Sequence, residues 1–221
     1  MKLLYKFRSA EPLSYLVDIL LEHRLYCTNY EELNDPYEGQ FFEEIRNVGR
    51  GYLINCALLG KNYSYSPDDN TMHLMKSFKD LSDSESDTPK ICSLTSAICD
   101  VRMWPFYASS HTGVAFELDF DGRDFIPHEV IYSPNMLIKS RRQPKIISLQ
   151  ELLTRKTEHW RYEQEHRIIT KEEYVSVAGR IRRVILGARA TPMLENLVRR
   201  LAGNDIPVVR ASLEMNGVKI P

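Results

Sequence analysis

Residues 113–120 (GVAFELDF) restrict the fold of this chain more than any other stretch. Apolar side chains at Val114, Phe116, Leu118 and Phe120 alternate with small or acidic ones. A period of two is typical of a strand that turns one face toward a core and the other toward solvent. The stretch therefore predicts a half-buried strand near the middle of the chain.

Shorter strands and several helices are predicted on both sides of this strand. Strands are predicted at 3–8, 25–28, 91–96, 130–132, 182–186 and 206–213. Helices are predicted at 12–24, 39–60, 69–80, 103–108, 149–159 and 192–202. Because the two kinds of element follow no regular βαβ order, the pattern favours an α+β fold with mixed, mostly antiparallel sheets and surrounding helices. One domain over 1–221 is expected, with a helical and loop excursion at about 39–90.

Composition excludes several classes of protein. The net charge is −1, so no overall field recruits nucleic acid or an anionic membrane surface. No apolar run has the length of a membrane span, and residues 1–12 lack the apolar centre of a secretory signal. The four cysteines, Cys27, Cys56, Cys92 and Cys99, form no C-x-x-C motif. We expect a cytoplasmic protein with reduced thiols and no metal.

The strongest functional signal is residues 159–169 (HWRYEQEHRII). If this stretch is extended, Glu163 and Glu165 point to the same side of a strand. Trp160 and Tyr162 indicate partial burial, where a carboxylate is costly unless it has a function or a partner. The pair is therefore a candidate acidic site at the margin of a core. A solvated strand on which the two glutamates lie beside neighbouring arginines is the structural alternative.

Three further groups could line the same cleft. They are Lys6 and Arg8 on one face of the first strand, Asp35 and Glu38 in the turn at 33–38, and Trp104 and Tyr107 in the segment 104–111. Arginine binds phosphate bidentately, and an aromatic face holds a planar cationic ring. A carboxylate stabilises the positive charge that develops at a sugar carbon when its leaving group departs. Nicotinamide adenine dinucleotide (NAD) presents all of these groups and is the favoured ligand.

Each group also has a purely structural interpretation. Arg8 could form a salt bridge with Asp35 or Glu38, and Trp104 and Tyr107 could be core aromatics. The functional interpretation requires a basic side chain, an aromatic one and an acid to meet around one hollow.

The chain resembles a bacterial family known as domain of unknown function 2971. The matching segments are 4–9 (LYKFRS), 33–38 (LNDPYE), 92–96 (CSLTS), 103–119 (MWPFYASSHTGVAFELD), 130–132 (VIY), 159–169 (HWRYEQEHRII) and 183–187 (RVILG). They are spread over nearly the whole chain in the family's order. The family has no settled activity, so this resemblance implies a fold rather than a reaction.

The order of parts is also similar to that of an ADP-ribosyltransferase core. Such a core has His or Arg on its first strand, Ser or Tyr in the middle, and a later Glu that is often part of E-x-E. The resemblance implies that Arg8 holds a phosphate or ribose of NAD and that Tyr107 stacks on nicotinamide. Glu165 would stabilise the oxocarbenium-like transition state, and Glu163 would orient the acceptor. The implied cofactor contacts are Arg8, Lys6, Trp104, Ser96, Asp35 and Glu38, and the implied catalytic residues are Glu165, Glu163 and Tyr107.

The leading expectation is thus an NAD-using, ADP-ribosyltransferase-like protein that acts as a toxin or phage-defence effector on a protein or nucleic-acid acceptor. A metal-dependent phosphodiesterase or nuclease is one alternative, in which Asp35, Glu38, Glu163 and Glu165 would hold magnesium. A non-catalytic module that binds a nucleotide or a protein is the other.

Overall fold

The computed structural model describes residues 2–35, 40–58, 61, 63–77, 88–120, 124–134, 137–142, 148–215 and 217–221. The fold is α+β with mixed, mostly antiparallel sheets, which confirms the predicted class. The chain forms two compact units. Unit 1 consists of Met1–Thr28, Lys90–Val130 and Tyr162–Pro221, and unit 2 consists of Asn29–Pro89 and Ile131–Arg161.

The described residues form the following elements. The helices are α1 (Ser14–Leu20), α2 (Arg50–Leu58), α3 (Met103–Tyr107), α4 (Leu149–Leu153) and α5 (Pro192–Ala202), with 3₁₀ turns at Tyr30–Glu32 and Glu158–Glu163. The strands are β1 (Lys2–Arg8), β2 (Arg24–Tyr26), β3 (Thr28–Asn29), β4 (Gln40–Arg46), β5 (Tyr63–Ser66), β6 (Thr71–Ser77), β7 (Lys90–Thr95), β8 (Val114–Phe120), β9 (His128–Glu129), β10 (Ile131–Ser133), β11 (Leu137–Arg141), β12 (Arg155–Thr157), β13 (Glu165–Thr170), β14 (Tyr174–Ser176), β15 (Ile181–Leu186), β16 (Val208–Arg210), β17 (Ser212–Glu214) and β18 (Gly217–Lys219).

The central sheet of unit 1 has the strand order β16-β15-β8-β1-β7-β13-β9. The β15–β16 pair is parallel and the other pairs along this path are antiparallel. β1 pairs with β8 along its whole length. Within the fully described strands β1 and β7, Tyr5 and Thr95 are the one register pair. One backbone register pair therefore connects the strands β16-β15-β8-β1 to the strands β7-β13-β9.

The predicted strand at 113–120 is confirmed as β8, but the expectation that it is half-buried is wrong. All seven of its side chains are buried. Both faces of the sheet are covered, so the acidic positions need partners inside the protein. Glu117 accepts a hydrogen bond from Arg183 at 2.9 Å, and Asp119 accepts one from Arg182 at 3.1 Å.

Two apolar clusters lie on the two faces of the sheet. On the first face, α1 and α5 pack against the sheet through side chains that include Leu16, Ile19, Leu194, Val198, Leu4, Phe116 and Val184. On the second face, α3 packs through Met103 and Trp104 against Phe7, Ala115 and Ile185. We call these the α1 face and the α3 face.

In unit 2, two predicted helices are wrong. The stretch 39–60 contains β4 and the shorter helix α2, and the stretch 69–80 contains β6. β6 alternates in burial, with Met72 and Leu74 inside and His73 outside, so the period of two prevails. β4, β5, β6 and β11 form one sheet in the order β11-β4-β6-β5, and Ile45 and Cys56 complete its core. Residues 78–87, which belong to the excursion predicted at about 39–90, lie outside the described residues.

The predicted helix at 149–159 is also too long, because α4 ends at Leu153 and the chain continues as β12. Thr154 ends the helix, and its hydroxyl donates to the carbonyl of Gln150 at 2.9 Å. Lys156 of β12 then pairs in parallel with Tyr132 of β10. The predicted last strand at 206–213 is likewise divided into β16 and β17.

Helix α5 has the predicted bounds, and its start provides a test of the local sequence signals. The Thr191 hydroxyl accepts a hydrogen bond from the Leu194 amide at 3.1 Å, and Pro192 occupies the first turn. We expect Thr191→Ala to lower the free energy of unfolding by about 1 kcal/mol, because the cap is lost. Thr191→Ser keeps the hydroxyl and should match the wild type. Urea titration followed by circular dichroism measures both, and an alanine variant as stable as the serine variant would contradict the cap.

Candidate functional site

Lys6 and Arg8 lie on the α1 face of β1, as their alternation with Tyr5 and Phe7 predicts. The Lys6 ammonium donates to the backbone carbonyl of Ser93 at 2.7 Å. This contact forms where β1 no longer pairs with β7, so the side chain bonds to the carbonyl instead. Burial, together with the nearby Arg8 charge, lowers the pKa of Lys6 to about 8.

Arg8 is half-buried, and among the described residues it forms no ion pair with a carboxylate. Its guanidinium lies over the ring of Tyr15, 4.9 Å from the ring centre. The Nε atom is buried and has no hydrogen-bond partner among the described residues. Within the same residues, Arg8 forms no ion pair with an Asp or Glu. Burial lowers the pKa of Arg8 below its ordinary value.

The two glutamates of the E-x-E motif do not form the extended pair that was expected. Glu163 ends the 3₁₀ turn, Glu165 begins β13, and Gln164 between them has a φ of 42°. A residue with positive φ breaks the alternation of side chains. The two carboxylates therefore have different partners, and both are buried.

Glu165 forms an ion pair with Arg167. The Nε and Nη2 atoms of Arg167 each donate to one carboxylate oxygen of Glu165 at 2.9 Å. Arg167 is fully buried and Glu165 is 4% exposed. This is the arginine-paired alternative, but inside the protein rather than on a solvated strand. A carboxylate held in this way has both oxygens committed to a structural contact.

Glu163 and Tyr107, two of the three predicted catalytic residues, are in direct contact. The Tyr107 hydroxyl donates to Oε1 of Glu163. The backbone carbonyl of Glu163 accepts a hydrogen bond from the Thr95 hydroxyl. Next to this pair, Ser96 Oγ donates to Gln164 Oε1 at 2.9 Å. The structure therefore gathers a phenol, a carboxylate and a hydroxyl–amide pair at the start of β13.

Trp104 is a core residue in this structure. Its side chain is fully buried, its indole NH donates to the carbonyl of Ile98 at 2.9 Å, and its ring meets Phe7 edge-on. It offers no exposed face on which nicotinamide could stack. The exposed aromatic side chain of α3 is Phe106, which is 69% exposed and lies beside Tyr162.

The sheet registers decide which predicted site residues share a face. Tyr5 is opposite Thr95, and Thr95 is opposite Glu165, so these three side chains lie on the α3 face. Tyr107 packs against the cluster on the same face. Arg8 is three residues from Tyr5 and points to the α1 face. The structure thus brings Tyr107, Glu163 and Glu165 to one face and places Lys6 and Arg8 on the other.

Sequence reasoning missed a row of three polar side chains on the α3 face, which consists of Tyr5, Glu117 and Arg183. Arg183 donates to Glu117, and the Tyr5 hydroxyl donates to the same carboxylate at 3.0 Å. Burial and Glu117 raise the pKa of Tyr5 to about 12. The signal for this row was the acidic residue at position 117 inside an otherwise apolar strand.

The acidic turn and the metal alternative find little support among the described residues. Asp35 is buried in unit 2, and Glu38 lies outside the described residues. No group of three or more His, Cys, Asp or Glu side chains in the described part of the chain could hold a metal ion. Within the described ranges, the magnesium-dependent alternative therefore has no ligand set.

Comparisons with protein-family models, curated proteins and solved structures found no match to this chain. The two resemblances drawn from the sequence stay predictions. In the described ranges, no helix has both the length and the apolar character needed to cross a membrane.

The Glu165–Arg167 pair generates a stability prediction. Arg167→Met leaves a buried carboxylate without its arginine, and we expect it to lower the free energy of unfolding by about 3–5 kcal/mol. The double variant Glu165→Leu/Arg167→Met removes both charges and should lose clearly less. Urea unfolding of the wild type, Arg167→Met, Glu165→Leu and the double variant completes a mutant cycle. A loss in the double variant equal to the sum of the two single losses would show that the pair is not coupled.

Proposed function

We propose that the protein binds a nucleotide through its phosphate groups at Lys6 and Arg8, with NAD as the favoured ligand. The observation that carries this proposal is the guanidinium of Arg8, whose buried Nε has no partner among the described residues. A cation removed from water without a counter-charge is costly, and an anion reduces that cost. The planar fork of arginine fits phosphate oxygens bidentately.

Lys6 supplies a second cation for the same anion. Both side chains project from one face of β1, and the charge of Arg8 helps to lower the pKa of Lys6. Two cations that repel each other are both stabilised by a shared anion. A diphosphate provides enough negative charge for both, and the resemblance to ADP-ribosyltransferase cores implies NAD among the diphosphates.

The contacts of Glu165 favour nucleotide binding over ADP-ribosyl transfer as the function. A carboxylate that stabilises an oxocarbenium-like centre needs a free oxygen facing the ribose. Both oxygens of Glu165 accept hydrogen bonds from Arg167. The same carboxylate is also on the face of the sheet opposite to Arg8. Nucleotide binding thus requires no rearrangement of this pair, whereas catalysis by Glu165 would.

Proton linkage tests the proposed contact with Lys6. The pKa of Lys6 is about 8 in the free protein, and a bound phosphate raises it by favouring the ammonium. Above pH 8, binding must therefore take up a proton, and the affinity for NAD should fall as pH rises, by up to about tenfold per pH unit. Isothermal titration calorimetry at pH 7 and 9, in two buffers of different ionisation enthalpy, measures both effects. Lys6→Met should remove the pH dependence.

Arg8 offers a matched pair of variants for the same titration. Arg8→Gln removes the charge and should weaken NAD binding about ten- to a hundredfold, because a charge-assisted contact is lost. Arg8→Lys keeps the charge and should bind more tightly than Arg8→Gln. ADP serves as a smaller diphosphate for comparison. The proposal fails if millimolar NAD and ADP give no heat with folded wild-type protein, or if Arg8→Gln binds as tightly as the wild type.

ADP-ribosyl transfer is the second candidate function, favoured by the contact between Tyr107 and Glu163. Here Glu163, rather than Glu165, would stabilise positive charge at the ribose carbon. The bond from that carbon to the nicotinamide nitrogen breaks, and neutral nicotinamide leaves with the electron pair. The acceptor nucleophile then bonds to the carbon and loses its proton. This chemistry belongs to the α3 face and does not require Arg8.

Nicotinamide release from NAD separates the two candidates. Transfer predicts that Glu163→Gln abolishes release while Arg8→Gln retains it. Glu158→Gln is the matched control, since Glu158 lies in the same 3₁₀ turn and pairs with Arg161 near the surface. Loss of release in the Glu158 variant, or no release by the wild type in the presence of a cell extract as acceptor, would count against transfer.

A further inference from the structure

The four-stranded sheet of unit 2 has one face that packs and one that is open to solvent. The packed face contributes Ile45 and Met72 to a core that α2 completes. Side chains alternate along a strand, so the residues between these core positions project to the opposite side. There the registers place Glu44 between Lys139 of β11 and His73 of β6. We call this surface the outer face.

Basic side chains predominate on the outer face. The side chain of Arg46 is 64% exposed, that of His73 is 46% exposed, and Lys139 and Arg141 are also exposed. Among the described residues, Glu44 is the one carboxylate that the registers place on this face. Its Oε1 accepts a hydrogen bond from Arg46 at 2.8 Å, and its Oε2 lies 3.7 Å from His73. One carboxylate therefore offsets only part of the positive charge.

Three arginines come together where β4 and β11 end. Arg141 is the register partner of Arg46, on strands that are about 4.8 Å apart. Arg142 has a φ of 70° and leaves β11, but its amide donates to the carbonyl of Arg46 at 2.8 Å. In the described part of the chain, neither Arg141 nor Arg142 forms an ion pair with a carboxylate. Like charges this close repel each other, and an anion between them reduces the repulsion.

We propose that the outer face of unit 2 binds a nucleic-acid strand through its phosphates. Lys139 and Arg141 are two residues apart on β11, which separates their backbones by about 6.6 Å along the strand. A row of cations suits a chain that carries one phosphate per nucleotide, and arginine binds a phosphate bidentately. Because phosphate contacts carry no sequence information, the binding should be independent of base sequence.

The basic surface is local, and its extent sets the path of the strand. The whole chain has a net charge of −1, so attraction by total charge does not explain such binding. Asp68 and Asp69 lie in the turn that joins β5 to β6. Their charges repel phosphates, so the nucleic acid would follow β11 and β4 rather than cross toward β5. The proposed NAD site uses other residues, Lys6 and Arg8 of unit 1, and neither proposal depends on the other.

Fluorescence anisotropy with labelled oligothymidylate of about 20 nucleotides, without NAD, measures the binding. The affinity should fall roughly twentyfold as salt rises from about 50 to about 200 mM, as expected for three phosphate contacts to a single strand. An oligonucleotide of the same length and mixed sequence should bind within about twofold, since the bases are not read. Absence of binding at about 0.1 mM protein and low salt would overturn the proposal.

A matched pair of double variants locates the contact. Lys139→Ala/Arg141→Ala should lower the affinity at about 50 mM salt by about tenfold to a hundredfold and make the salt dependence shallower, because two phosphate contacts are lost. Lys171→Ala/Arg200→Ala removes the same two residue types from exposed positions of unit 1 and should bind like the wild type. Equal affinity losses in the two variants would overturn the proposal. If the first variant does not fold, Arg141→Gln gives the same comparison with about half the change in slope.

Competition identifies the kind of polyanion. Unlabelled oligothymidylate should displace the labelled strand at lower concentration than polyglutamate of similar length, because a nucleic acid also releases condensed counterions on binding. Polyglutamate that competes as well as the oligonucleotide would show that the outer face accepts an acidic protein segment, and the assignment to nucleic acid would be wrong.

Discussion

The fold of unit 1 depends on how β1 joins the two halves of its sheet. β1 follows β8 over seven residues but pairs with β7 at Tyr5 and Thr95 alone. Beyond that point the carbonyl of Ser93 receives its hydrogen bond from the Lys6 ammonium. Backbone groups inside a protein must find partners, so the divergence of two strands brings a charged side chain into the interior. Arg8 lies two residues further along the same face.

The two faces of the sheet handle buried charge differently. On the α3 face, the buried carboxylates of Glu117 and Glu165 accept hydrogen bonds from Arg183 and Arg167, respectively. Replacing such a buried pair by apolar residues is often neutral for stability, whereas removing one partner is strongly destabilising. On the α1 face, Lys6 and Arg8 form no ion pair with a carboxylate among the described residues. That contrast is the basis for proposing that Lys6 and Arg8 bind an anion.

Local periodicity in the sequence predicted the positions of individual strands and helices. It could not predict the contacts that depend on the register between strands distant in sequence. Alternation located β8, and Thr191 with Pro192 located the start of α5. That Glu163 and Glu165 have different partners could not be predicted, because it follows from the φ of Gln164 and from the pairing of β13 with β7. The placement of Lys6 and Arg8 together on one face was predictable from alternation. That Glu165 lies on the other face required the observed registers.

The energetics of Arg8 are the basis of the proposed phosphate contact. A cation over an aromatic ring gains about 0.5–2 kcal/mol, whereas removing a cation from water costs several kcal/mol. The contact with Tyr15 therefore compensates for only part of the cost, even with Arg8 half-buried. The phosphate of the proposed nucleotide would supply the anion that compensates for the rest. Because Lys6 lies on the same face of β1, one anion would act on both positive charges.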